Sequence, residues 1–187
     1  TGTVIIDKKT YELDTDGSLK DYTPKKKSSK KKSSDKSATS DKSGTSTAKK
    51  SVALTFDDGP SSFTDRLLDC LEENNAKATF FMVGTEIASF PDEVKRMKKL
   101  GCELGNHTYD HKDLATLSSD EISSEIARVD EQLVNLTGEG ASVVRPPYGS
   151  VNDTVKSTVG TPMILWSIDT LDWKTQDVES TVEEVMN

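Results

Sequence analysis

The spacing of apolar positions changes character along this chain. Thr3-Val4-Ile5-Ile6-Asp7 and Thr10-Tyr11-Glu12-Leu13-Asp14 alternate like strands about a Lys8-Lys9 turn, and Thr15-Asp16-Gly17-Ser18 supplies a closing turn. A small hairpin over residues 1–20 is predicted, too short to bury a core alone. From Ser51 onward, short apolar runs alternate with helical spacing. Strands are predicted at 51–56, 77–83, 102–106, 142–145 and 162–167. Helices follow from Phe63, Leu67, Leu71, then from Val94, Met97, Leu100. A longer one runs through Ile122, Ile126, Val129, Leu133 and Leu136, with Gly138 to end it. Repeated β-α units imply an α/β fold of parallel strands joined by right-handed crossovers, as a barrel or an open sheet. In either form the chemistry collects at the carboxyl ends of the strands.

Composition divides the chain further. Residues 21–50 are Lys, Ser, Thr and Asp with almost nothing to bury, which predicts a disordered linker. Its Lys25-Lys26-Lys27 and Lys30-Lys31-Lys32 clusters read as a self-repelling spacer, or as a weak attraction to an anionic polymer. The net charge of −8 conceals this split. Residues 25–50 hold 10 lysines and 2 aspartates, which leaves 14 basic and 30 acidic side chains elsewhere, a net of −16. So acidic a globular part excludes nucleic acid as its partner. Cys70 and Cys102 sit in apolar settings and read as buried free thiols, a single disulfide being the alternative. No apolar run approaches the roughly 20 residues that span a bilayer. The chain starts at Thr1 without an initiator Met, so the start reads as cut.

The chemistry begins at Thr55-Phe56-Asp57-Asp58-Gly59-Pro60, where two adjacent carboxylates sit at the end of a predicted strand at a Gly-Pro turn. Carboxylates this close repel unless positive charge lies beside them. The only two histidines, in His107-Thr108-Tyr109-Asp110-His111, offer a metal ion as that charge. Imidazoles at i and i+4 can reach one ion at about 2.0–2.1 Å, and a carboxylate completes a triad open to water and substrate. With Asp58 as third ligand, Asp57 becomes the base that takes a proton from water. In Arg145-Pro146-Pro147-Tyr148-Gly149 the prolines lack N–H groups, so Tyr148 carries the first free amide, a candidate oxyanion donor. Arg145 is free to pair with Asp57. In Asp169-Thr170-Leu171-Asp172-Trp173, Asp172 is a candidate to orient a histidine and Trp173 to form an apolar or sugar-stacking wall.

Those four segments, in this order over residues 51–173, resemble the first four signature motifs of the polysaccharide deacetylase family, the NodB-homology domain of carbohydrate esterase family 4. The resemblance implies a distorted, incomplete (β/α) barrel holding a divalent metal, usually zinc, sometimes cobalt or nickel. It implies Asp58, His107 and His111 as metal ligands and Asp57 as catalytic base. Arg145 would orient Asp57, the Tyr148 amide would support the oxyanion, Asp172 would tune a catalytic histidine, and Trp173 would line its pocket. Family members remove N-acetyl groups from peptidoglycan or chitin-like sugars, or O-acetyl groups from xylan. The expected substrate is thus an acetylated polysaccharide, and the expected location is extracellular, secreted or cell-wall associated.

The chain departs from the family pattern at its fifth motif, an apolar strand ending in an acid histidine, which is absent. A C-terminally incomplete domain is therefore expected over 51–187, preceded by the linker at 21–50. The hairpin at 1–20 resembles one copy of a stacking cell-wall-binding repeat. A metal-dependent hydrolase removing N-acetyl groups from a cell-wall or chitin-like polysaccharide, of the peptidoglycan N-acetylglucosamine deacetylase type, is the leading expectation. An O-acetyl xylan esterase and a non-catalytic wall-binding protein are the alternatives.

Overall fold

The computed structural model describes the backbone of Thr3–Ile6 and Lys9–Glu12 and the residues from 52 to 186. The linker predicted at 21–50 lies outside the described residues. The chain divides into two compact units, Lys49–Leu165, and Thr1–Ala48 together with Trp166–Asn187.

In the second of these units, β1 (Thr3–Ile6) pairs antiparallel with β2 (Lys9–Glu12), as the alternation predicts. Lys9, expected in the turn, opens β2 opposite Ile6. Two short helices close the described chain, α6 (Asp172–Thr175) and α7 (Val178–Met186).

The Lys49–Leu165 unit is built on a four-stranded parallel sheet: β3 (Thr55–Gly59), β4 (Thr79–Met82), β5 (Glu103–Asn106) and β6 (Val143–Val144), paired in that order. Connecting and following them are α1 (Thr64–Glu73), α2 (Gly84–Ile87), α3 (Pro91–Leu100), α4 (Ser119–Thr137) and α5 (Asp153–Thr158). Alternation along the strands sorts the two faces. Phe80 and Met82 join Leu68, Leu71, Val94, Met97, Leu104, Val129 and Leu133 in the main core, and Phe56 stacks on Phe80 at 5.4 Å. Phe81, one residue along, is fully buried on the opposite face. There Gly105 gives it room, since a Cβ at that position would meet the Phe81 ring.

The first and last of the predicted strands change most. The first strand begins at Thr55, not at 51, and runs through Asp57 and Asp58 to Gly59. Its pairing with β4 shifts register between Phe56 and Gly59, and Asp58 takes a left-handed φ of 64°. The acidic pair therefore lies within an irregular strand end instead of beyond it. The strand predicted at 162–167 reduces to a single parallel bridge between Val144 and Met163. The two thiols are free, but only Cys102 is buried. Cys70 neighbours Leu71 in sequence, yet on α1 it points away from the face that buries Leu68 and Leu71, because 3.6 residues per turn separate chain neighbours by 100°.

Helix α4 begins with a capping box, in which Ser118 Oγ accepts from the Glu121 amide and Glu121 accepts from the Ser118 amide. It stops at Gly138 in the left-handed conformation, as predicted. Leu133 of this helix is fully buried, whereas Val134 is 48% exposed. We expect Leu133→Ala to cost about 2–5 kcal/mol and Val134→Ala to stay within roughly 0.5 kcal/mol in urea unfolding. Equal effects at the two positions would mean that the helix presents a different face.

Candidate metal centre

The carboxyl ends of β3, β5 and β6 bring the predicted residues together. Asp58 leaves β3, His107 follows β5, and Arg145 follows β6. Strand alternation alone would send Asp57 and Asp58 to opposite faces. The left-handed turn at Asp58 cancels that divergence. Asp58 Oδ1 lies 3.4 Å from His107 Nε2 and 3.2 Å from His111 Nε2. Asp57 Oδ2 stands 3.9 Å from the same His107 nitrogen.

The two histidines meet without a helix. The loop from 107 to 111 is irregular, and Thr108 and His111 adopt φ values of 68° and 55°. This curl sets the imidazoles edge to face with centroids 5.0 Å apart.

Hydrogen bonding fixes one tautomer. His107 Nδ1 is 2.6 Å from the Arg145 carbonyl oxygen. That oxygen can only accept, so Nδ1 carries the proton and the neutral ring presents a lone pair at Nε2. A lone pair facing the Asp58 carboxylate is unfavourable unless a cation lies between them. With the imidazoles protonated instead, hydrogen bonding from His107 holds the Asp58 carboxyl below its ordinary value; burial opposes this, and the charges of both rings reinforce it. His111 Nδ1 lies 3.3 Å from the Tyr148 hydroxyl.

Asp58, His107 and His111 each offer one ligand atom, and these atoms all lie within 4.8 Å of one another. Two imidazole nitrogens and one carboxylate oxygen form an open donor set suited to zinc, cobalt or nickel. The residues present therefore fit the divalent ion that the motifs imply.

Arg145, 2% exposed, holds Asp57 in place. Its Nη1 donates to Asp57 Oδ1 at 2.7 Å and to Thr55 Oγ1 at 2.9 Å. Its Nε and Nη2 donate to the Ile164 and Leu165 carbonyls at 3.1 and 2.9 Å. The guanidinium also lies 4.0 Å over the Phe81 ring. Pairing of Arg145 with Asp57 was predicted from sequence; the supporting role of Thr55 was not.

Tyr148 has a left-handed φ of 62° and an exposed side chain. Asp172 and Trp173 belong to the other unit. There Asp172 Oδ1 accepts from Thr170 Oγ1 at 2.7 Å, and Trp173 is exposed.

The sequence reading also missed Glu125. It occupies the buried stripe of α4 between Ile122 and Val129, and it accepts from the Tyr109 and Asp110 amides. An acidic residue on an apolar helical face was the available signal.

Known proteins are similar to this chain in sequence and in structure. The chain is 42% identical over 142 residues to a peptidoglycan-N-acetylglucosamine deacetylase of Bacillus cereus, a match covering 74% of this chain and 52% of that protein. It is 41% identical over 138 residues to the peptidoglycan-N-acetylglucosamine deacetylase PgdA of Listeria monocytogenes, covering 73% of this chain and 30% of the relative. The chain thus spans between about a third and a half of the length of these two relatives. The solved structure of peptidoglycan deacetylase PdaC from Bacillus subtilis superposes with a TM-score of 0.70 at 38% identity, over 72% of this chain and 67% of that one. The profile of the polysaccharide deacetylases matches residues 44–161, and with it this chain belongs to the polysaccharide deacetylase family.

Proposed function

We propose that this chain is the catalytic part of a zinc-dependent deacetylase that removes N-acetyl groups from the N-acetylglucosamine of peptidoglycan. The observation that carries this reading is the convergence of Asp58, His107 and His111 beside an Asp57 held by Arg145. The names of the Bacillus cereus and Listeria monocytogenes relatives favour an amide-linked acetyl group over an ester. A divalent ion in the donor set supplies Lewis acidity toward the acetyl carbonyl and makes water a better nucleophile.

Asp57 is the general base. Arg145 occupies its Oδ1, and Oδ2 accepts a proton from the water that attacks the acetyl carbon. The Tyr148 amide donates to the developing oxyanion. The C–N bond then breaks, the amine takes up a proton and acetate leaves. Both histidines belong to the donor set, so another acid supplies that proton. The Tyr148 ring provides a surface against which a sugar packs.

The substrate polymer lies outside the cytoplasm, and the enzyme acts there, secreted or held at the wall. The hairpin and the Lys-rich stretch at 25–50 support retention, since clustered ammonium groups are attracted to anionic wall polymers.

Removing a donor tests the metal set. Asp58→Ala in the full-length protein should abolish tight zinc binding in calorimetric titration; unchanged affinity would mean that another residue is the ligand. The base is tested separately, by free-amine release from N-acetylglucosamine oligomers and peptidoglycan. Asp57→Asn in the complete enzyme should bind zinc like the parent while turnover falls by about 10²–10⁴-fold. Retained turnover would remove Asp57 from the role of base.

A further inference from the structure

The loop between the two histidines lacks regular structure, yet its backbone groups are gripped on both sides. Its amides are taken by side chains: Thr108 N–H donates to Asn106 Oδ1 at 2.9 Å, while Tyr109 and Asp110 N–H both donate to Glu125 Oε2, at 2.9 and 2.8 Å. Its carbonyls are taken by the start of α2, where the Gly84 and Thr85 amides donate to the Thr108 and Tyr109 oxygens at 3.0 and 3.1 Å. Gly84 permits this approach, because a Cβ there would sit 2.9 Å from the Tyr109 Cα.

Helix α4 supplies the opposing surface. Asn106, fully buried, donates to the Ile126 carbonyl at 3.0 Å and to Asp130 at 3.3 Å. The Arg128 guanidinium lies 3.2 Å over the Tyr109 ring. Glu125 is 4% exposed, in a stripe where an apolar residue would pack at no electrostatic cost. Its second oxygen, Oε1, accepts from Lys112 Nζ at 2.8 Å, so its carboxylate spans the chain on both sides of His111. Left-handed φ values at Thr108 and His111 persist only where the surroundings over-determine them. Glu125 is the group that does so for the middle of the loop.

We propose that Glu125 is a positioning residue of the metal centre: by holding the Tyr109 and Asp110 amides it fixes the curl of the 107–111 loop, and with it the aim of both imidazoles. This rests on the reading of Asp58, His107 and His111 as the donor set. Glu125 touches neither ion nor substrate. Its effect is preorganisation, because a loop already curled spends no binding energy on becoming so.

The test measures two quantities on the full-length protein: zinc affinity by competition with a chromophoric chelator, and hydrogen exchange of the Tyr109 and Asp110 amides without zinc. The parent should bind zinc and exchange both amides slowly. Glu125→Ala should speed their exchange and weaken zinc binding by about 10–100-fold, the usual effect of removing a group that orients a metal ligand. Glu125→Gln has one oxygen for two tasks, since an amide that accepts from the loop turns its NH₂ toward the Lys112 ammonium. It should lose about tenfold, and adding Lys112→Met to it should restore affinity to within about threefold of the parent.

Zinc affinity of Glu125→Ala within about threefold of the parent, despite freed amides, would reduce Glu125 to a tie between helix and loop and overturn the proposal. Where Glu125→Ala does not fold, the comparison of the Gln variant with the Gln/Met double variant decides, and no recovery in the double overturns it equally. A parent that binds no zinc brings down the donor set and this inference together. A parent that binds it, with variants unchanged, brings down this inference alone.

Discussion

One buried guanidinium holds the site's parts in register. Arg145 donates through its side chain to Asp57, Thr55 and the carbonyls of Ile164 and Leu165. Its backbone works at the same time: the amide donates to the Asn106 carbonyl, and its own carbonyl accepts from His107 Nδ1. A single residue thus anchors the proposed base and sets the tautomer of a candidate metal ligand. Burying an arginine is costly unless its charge is paired and its donors are satisfied. Here the satisfaction of those donors is what ties β3, β5 and the 164–165 segment to one point.

Around that point the chain departs from regular backbone wherever chemistry requires it. Asp58, Thr108, His111 and Tyr148 all carry positive φ without being glycine. Each lies in one of the three motifs that follow a strand end. Side chains with left-handed backbones are held by their surroundings, and the surroundings are explicit: Arg145 beside β3, Glu125 and Gly84 around the histidine loop, and the Pro146–Pro147 turn before Tyr148. The parallel sheet and α4 are rigid elements on which these loops are stretched, which lets a polar site be precise.

The charge of the site itself follows from the same design. A site made of carboxylates and neutral imidazoles needs a cation to be stable, so metal binding and the arrangement of charge are one problem. The Asp58 carboxyl, held below its ordinary value when a protonated His107 donates to it, shows the same demand for positive charge.

The sequence by itself determined most of the succession of strands and helices, the four motifs and which three donor side chains to look for together, because each rests on local spacing: 2.0 in strands, 3.6 in α4, and fixed intervals within the motifs. Pairing of Arg145 with Asp57 was also legible, from charge and from position after a strand. Tertiary structure alone decided how adjacent aspartates face one cleft, since only the register shift against β4 and the left-handed Asp58 undo strand alternation. It also decided that the histidines converge on a loop instead of a helix face. Glu125 went unread in the sequence although it falls on the apolar stripe of α4; its role depends on the packing of that helix against the 107–111 loop. Such contacts join residues far apart in the chain, and no local periodicity encodes which loop a helix will meet.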